Sequence, residues 1–156
     1  MSRWGKCDYR ELQQLQKRLE VVQKQDLEKF CRDAAKELAA RLLAKVIKRT
    51  PVGVYPPSSG KVGGTLRRGW TGQTNANATA YARSLPIVKT GNGYEITIIN
   101  PVKYASFVEY GHRTRGGGGW VEGRFMLTKS EMEIEGQAQK IIERKLSNYL
   151  NGAFGK

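Results

Sequence analysis

The chain has 156 residues, with 27 Lys and Arg against 14 Asp and Glu, which gives a formal net charge of +13. This length fits one domain, covering residues 1–156, with a buried core. No apolar run approaches the ~18 residues that a membrane-spanning helix needs, and residues 1–10 are polar, so we expect neither a membrane anchor nor a signal peptide. The positive charge favours a polyanionic partner, either nucleic acid or an acidic protein surface.

Residues 9–49 have the apolar periodicity of helices. A narrow seam with alternating three- and four-residue spacing comes first, formed by Leu12, Leu15, Leu19 and Val22. The pattern slips near Asp26, an acceptable N-cap, and a longer apolar series then continues to Val46. We therefore predict an N-terminal helical extension over residues 1–25 and a long helix that ends before Pro51. Ordinary core packing and a surface for a partner helix both remain open for the seam.

Turn-forming residues dominate positions 51–64, where Pro and Gly predict an extended, mobile loop. Residues 65–70 can form a strand with Leu66 and Trp70 on one face. Residues 72–83, rich in Asn, Ala and Thr, predict a second loop. The sequence Gly-Asn-Gly at 91–93 lies between two alternating segments, 85–90 and 94–100, and predicts a β-hairpin.

An aromatic segment follows at positions 100–111. Tyr104, Phe107 and Val108 have the i, i+3, i+4 spacing of one helical face, which we expect to pack on the sheet, and Gly111 ends the helix. Glu109 is the single acid in a basic neighbourhood. A glycine-rich cationic loop leaves from this segment over residues 111–120, and we expect it to be mobile. A rigid anchor with a flexible basic loop is typical of a binding or assembly element.

The apolar stripe over residues 125–150 predicts a C-terminal helix. Helices, a few antiparallel strands and a final helix together predict an α+β fold. In that fold a small antiparallel β-sheet has the N-terminal helices, one of them long, and the C-terminal helix packed on it.

The residues needed for common catalytic and metal sites are sparse. His112 is the only histidine, and no nucleophile motif lies beside it. Cys7 and Cys31 lack metal-ligand spacing and favour a reduced intracellular pair. The four glycines at 116–119 lack the features of a P-loop. We therefore predict no catalytic, cofactor or metal site, and we expect His112 to contact a neighbouring molecule.

Basic side chains form two groups that could meet a DNA backbone or remain a solvated surface. These are Lys61, Arg67 and Arg68, and then Arg113, Arg115 and Arg124. Trp70 and Trp120 could stack on bases, although both positions also suit an anchor in the core or in an interface.

Four motifs give the sequence a resemblance to a known family. They are Thr-Pro-Val-Gly at 50–53, Gly-Thr-Leu-Arg-Arg-Gly-Trp at 64–70, Tyr-Ala-Ser-Phe-Val-Glu-Tyr-Gly-His at 104–112, and Gly-Arg-Phe-Met-Leu at 123–127. Over roughly residues 30–145 the chain resembles the tail-completion, or head–tail joining, proteins of tailed bacteriophages and defective prophages. It departs from that family in the first motif, where an Asp is missing and residues 54–63 are inserted.

The resemblance implies a structural virion protein without catalytic activity, made in the host bacterial cytoplasm and located in the neck of the particle. It implies a ring, commonly of six copies, between the head connector or stopper and the tail terminator or tube, around the channel that genomic DNA crosses. The alternative is a small basic DNA-binding module, supported by charge alone, and an enzyme such as a nuclease is a third reading. Interface or DNA-facing candidates are Arg67, Arg68, His112, Arg113, Arg115, Trp120 and Arg124.

Overall fold

The computed structural model describes residues 13, 14, 17, 27–91 and 93–154. The helices are α1 (Leu27–Arg49), α2 (Thr65–Gly69), α3 (Ala78–Ser84), α4 (Ala105–Tyr110) and α5 (Met126–Phe154), and a 3₁₀ turn lies at Pro57–Ser59. The strands are β1 (Val88–Thr90), β2 (Gly93–Glu95), β3 (Gly111–Arg113) and β4 (Trp120–Glu122). The predicted α+β class is confirmed, as are the long helix that ends before Pro51 and the C-terminal helix.

The two long helices, α1 and α5, pack against each other and form the centre of the molecule. Lys45 pairs with Glu133 at 2.8 Å, and Glu37 pairs with Lys145 at 3.1 Å, so the two helices run antiparallel. Helix α3 packs on another part of α1. The buried apolar cluster consists of Ala39, Leu43, Val46, Leu66, Trp70, Ala82 and Met126. Helix–helix contacts therefore supply most of this core.

A buried hydrogen bond joins the end of α1 to α2. The Thr50 hydroxyl donates to the Val46 carbonyl at 2.7 Å and accepts from the Trp70 indole nitrogen at 2.7 Å. Residues 65–70, predicted as a strand, form helix α2 instead. Leu66, Gly69 and Trp70 are its buried positions, and their i, i+3, i+4 spacing matches a helical face.

Part of the predicted second loop is also helical. Helix α3 begins after Asn77, whose side-chain oxygen accepts a hydrogen bond from the Ala80 N–H at 2.8 Å. Asparagine is among the preferred N-cap residues, so the sequence contained a signal for the start of this helix. The fully buried Ala82 then holds this short helix against α1.

The described strands form two separate antiparallel hairpins, one of β1 and β2 and the other of β3 and β4. The hairpin predicted around Gly-Asn-Gly is confirmed, with Val88 opposite Glu95 and Thr90 opposite Gly93. Its strands are only three residues long, and the chain then leaves the ladder. Ile96 and Ile98 pack against the helical core, whereas Ile99 is exposed.

Little of the predicted N-terminal extension is described. Residues 13, 14 and 17 are helical; the Leu12–Val22 seam, the Asp26 cap and Cys7 lie outside the described residues. Among the described helices, none is long and apolar enough to cross a membrane.

Candidate assembly surface

Glu109 fixes the aromatic segment to the start of helix α5. Its side chain is 6% exposed. One carboxylate oxygen accepts the Leu127 N–H at 3.0 Å, and the other accepts the Thr128 N–H at 2.9 Å and the Thr128 hydroxyl at 2.8 Å. The first N–H groups of a helix have no partner within it and favour negative charge. Glu109 is therefore an N-cap supplied from a distant segment of the chain.

Two glycines allow the backbone to approach closely beside this cap. Gly111 has φ +87°, and a Cβ at this position would lie 2.4 Å from the Val121 carbonyl oxygen. A Cβ at Gly123 would lie 2.3 Å from the Glu109 carbonyl oxygen. That oxygen accepts the Phe125 N–H at 3.0 Å. Helix α4, the base of the β3–β4 hairpin and the start of α5 are thus held together by backbone contacts.

The segment predicted as a mobile loop over residues 111–120 contains strand β3, the connecting loop and the first residue of strand β4. Arg113 lies opposite Trp120, and Thr114 and Gly119 close the connecting loop with an N–H to carbonyl bond of 3.0 Å. The side chains on both faces of the ribbon are exposed, except that Gly111 is half-buried. The backbone pairing orders the ends of the segment, while mobility of the glycine loop stays a prediction.

Exposed aromatic rings surround the base of this hairpin. They form a surface, here named the aromatic surface, that consists of Tyr104, Phe107, Tyr110 and Trp120. Phe107 is 55% exposed and lies 5.9 Å, centroid to centroid, from the His112 ring. The prediction that Phe107 and Tyr104 are packed in the core is therefore wrong. Of the predicted face, Val108 contacts the core, and the buried residue of the helix is Glu109.

The loop over residues 51–64 borders the aromatic surface. A cleft of about 230 Å³ lies between this loop and α4, and Tyr55, Leu66, Tyr104 and Val108 are among its lining residues. Val54 in the same loop is 94% exposed. The sequence predicted an extended, mobile loop that reaches a neighbouring subunit, and the apolar residues among its Pro and Gly residues are consistent with contact.

Of the basic candidates, Arg67 has a structural role. Its guanidinium donates to the Thr50 carbonyl oxygen from Nε at 3.1 Å and from Nη2 at 2.7 Å. Arg67 lies on helix α2, so the strand predicted for this residue is wrong, whereas its contact with DNA or a neighbour stays a prediction. Arg68 is exposed, and its guanidinium contacts the Gly63 carbonyl at 3.4 Å. Trp70, the other predicted stacking ring, is buried.

The remaining arginines leave the surface around the hairpin strongly positive. Arg113, Arg115 and Arg124 are exposed, and none of their side chains forms an ion pair with another described residue. Glu122 is the exposed acid of the hairpin. Aromatic rings with arginines are the residues that most often dominate the energy of protein interfaces.

Another cleft, of about 810 Å³, is lined by residues of helices α1, α3 and α5. In this cleft Glu37 forms ion pairs with Arg41 and Lys145. Hydrogen bonds, first from Arg41 and then from Lys145, lower the pKa of Glu37. Lys36 donates to the carbonyls of Arg83 and Leu85 and so stabilises the end of α3. These contacts indicate a structural role for the cleft.

His112 lies at the junction of the aromatic surface and the hairpin. The Nδ1 atom of His112 lies 3.5 Å from the Phe107 carbonyl oxygen. The described residues contain no group of three or more His, Cys, Asp or Glu side chains that could hold a metal ion. What the surface offers is apolar area, ring faces and cationic hydrogen-bond donors.

Comparison with known proteins identifies a family. Residues 13–111 match the model of the HK97-gp10-like family, described as "Bacteriophage HK97-gp10, putative tail-component". No curated protein and no solved structure matches the chain at a significant level. The match covers more than half of the chain, so the chain belongs to this family, which confirms the predicted phage tail relationship. It ends at Gly111, and the β3–β4 hairpin and helix α5 continue beyond it.

Proposed function

We propose that this member of the HK97-gp10-like family is a neck or tail-completion protein that joins the head connector to the tail. Membership in the family gives a structural role in the phage particle. The position in the neck rests on the motif resemblance, because Thr-Pro-Val, Gly-x-Leu-Arg and Tyr-Ala-x-Phe-Val-Glu-x-Gly together are typical of head–tail joining proteins. In this proposal the chain forms a ring, commonly of six copies, around the DNA channel and catalyses no reaction.

The observation that most strongly supports an assembly role is the aromatic surface. It places four exposed aromatic rings on helix α4, its N-cap and the adjoining hairpin, and exposed apolar patches often mark sites of protein interaction. The rings lie on a segment anchored by the buried Glu109 and by close glycine contacts. A rigid base reduces the conformational entropy that association costs. The arrangement therefore favours a protein partner with a fixed geometry, such as a connector, terminator or second subunit.

The direct test is deletion of the gene from the phage or prophage that encodes it, with electron microscopy of the lysate. We expect full heads and finished or nearly finished tails that are not joined, and rescue by the wild-type chain supplied from a plasmid. Joined, infectious particles made without the chain would reject the proposal.

Contact with DNA is the second candidate, favoured by exposed Arg113, Arg115 and Trp120 on one hairpin. Rings among basic groups form the stacking and electrostatic surface that nucleic acids use. An electrophoretic shift with short duplex and single-stranded DNA separates the two candidates. A neck protein that only lines a channel should bind weakly at near-physiological salt, whereas a dedicated DNA-binding module should bind tightly under the same conditions.

A further inference from the structure

Helix α4 contacts the base of the β3–β4 hairpin, where the Phe107 and His112 rings lie 5.9 Å apart, but the rest of the hairpin is exposed on both strands. Trp120, Val121 and Glu122 are all exposed, as are His112 and Arg113 on the opposite strand. An isolated two-stranded ribbon is only marginally stable in water. The glycine contacts fix its base, but its outer part would gain stability from a surface that covers the Trp120 ring.

A second exposed feature lies on helix α5. Met132 is 68% exposed, more than any other large apolar side chain in the described helices. Glu131 and Glu135 are exposed beside it, one helical turn apart. We name these three residues the acidic patch. Neither Glu131 nor Glu135 forms an ion pair with a described residue, whereas Glu133 points the other way and binds Lys45 and Arg49.

The hairpin and the acidic patch are complementary in charge and in polarity. The hairpin has a large apolar ring, Trp120, next to Arg113 and near Arg115. The patch has one apolar side chain, Met132, beside two carboxylates that form no ion pair with a described residue. Copies with a net charge of +13 repel each other, so association between copies requires locally opposite charges at the contact. The acidic patch provides them.

We infer that the β3–β4 hairpin of one copy docks on the acidic patch of a neighbouring copy. In this contact Trp120 covers Met132, while the two hairpin arginines pair with Glu131 and Glu135. The contact joins different surfaces of the two subunits, which is the head-to-tail type that generates closed rings. It rests on the proposed function, since it assigns the contact between subunits of the proposed ring.

Charge reversal tests the contact in assembled particles. The hairpin variant has Arg113→Glu with Arg115→Glu, and the helix variant has Glu131→Arg with Glu135→Arg. Each variant alone places like charges at the contact, which we expect to weaken association by at least about 100-fold. In a mixture, a ring in which the two variants alternate has opposite charges at every contact. The matched control reverses two exposed charges on the other hairpin, Lys89→Glu with Glu95→Arg.

The assay is complementation of the gene-deleted phage from one or two plasmids, with infectious titre and particle composition as readouts. We expect each reversed variant alone to fail, the mixture to restore the titre, and both variants to co-purify in the same particles. The control should complement like wild type. Thermal melts of the purified variants should match wild type, because all four reversed positions are exposed.

Two results would overturn the inference. Full titre from either reversed variant alone would show that assembly does not depend on these charges. Failure of the mixture, with both variants folded, would assign the hairpin to DNA or to another virion protein. Both results leave the proposed function standing, provided that the wild-type plasmid rescues the deletion. Only joined, infectious particles in the absence of the chain would reject that function itself.

Discussion

Removal of the Glu109 carboxylate should destabilise the protein more than any surface substitution. The carboxylate accepts three hydrogen bonds, two of them from the first N–H groups of α5. In Glu109→Ala both N–H groups lose their partner in a part-buried site. An unsatisfied buried donor costs about 1–3 kcal/mol, and loss of a helix cap typically costs about 1 kcal/mol. Since the two terms overlap, we expect a total loss of about 2–4 kcal/mol.

Thermal unfolding by circular dichroism measures this loss. For a domain of this size about 1 kcal/mol corresponds to a shift of about 2–4 °C in Tm, so Glu109→Ala should melt about 4–16 °C below wild type. The Tm of Glu109→Gln should lie between those of wild type and Glu109→Ala. The amide oxygen can still accept one hydrogen bond, but the amide NH₂ group faces a backbone N–H and cannot accept from it.

Glu131→Ala is the matched control, since Glu131 also lies near the start of α5 but is exposed and makes no cap. It should change the free energy of unfolding by less than about 0.5 kcal/mol. Equal melting temperatures for Glu109→Ala and Glu131→Ala would refute the role of Glu109 as a cap.

Three further predictions follow from individual contacts. Thr50→Val keeps the size of the side chain but leaves the buried indole N–H of Trp70 without an acceptor. The free energy of unfolding, measured by urea titration, should therefore fall by about 1–3 kcal/mol. Phe107→Ala should cost less than about 1 kcal/mol, as expected for a half-exposed ring, yet should reduce particle assembly; a large loss of stability would place Phe107 in the core after all. Hydrogen bonds from Lys45 and then from Arg49 lower the pKa of Glu133 to about 2 from an ordinary 4.5. Because the pKa is lower in the folded state, ionised Glu133 stabilises the protein above pH 4.5, and this stabilisation is lost as the pH falls to about 2. The Tm values of wild type and Glu133→Gln should therefore differ at pH 6 and converge near pH 2.

The parts of the fold that the sequence predicted well are those with long periodic patterns. Helices α1 and α5 each repeat apolar residues over many turns, and Gly-Asn-Gly marks the first hairpin directly. Helix α2 is too short to show a periodic apolar pattern. Helix α2 has two apolar positions four residues apart, Leu66 and Trp70, and this spacing fits both a strand and a helix. In the helical form the Trp70 indole reaches the Thr50 hydroxyl, twenty residues earlier in the chain, a contact that no local pattern shows.

The sequence predicted where the helical segment of the candidate site lies, but not which of its side chains are buried. The spacing of Tyr104, Phe107 and Val108 located the helical segment, yet it suggested that the rings face inward. Hydrophobic periodicity assumes that apolar side chains take the buried positions. In α4 the buried position is taken by Glu109, since the start of α5 supplies hydrogen-bond donors that no local pattern shows. The rings are left on the outside, available to a partner.

The loop over residues 51–64 has closely spaced ends. A Cβ at Gly63 would lie 2.0 Å from the Gly53 carbonyl oxygen, so the two backbone segments touch at the base of the loop. The residues between them leave the body of the protein and return to nearly the same point. Their number and identity can therefore change without moving α1 or α2, which makes the tip near Gly60 a suitable place to insert an epitope tag or a fluorophore-binding peptide. Microscopy of particles labelled at this loop would show where this chain lies in the particle and how many copies are present.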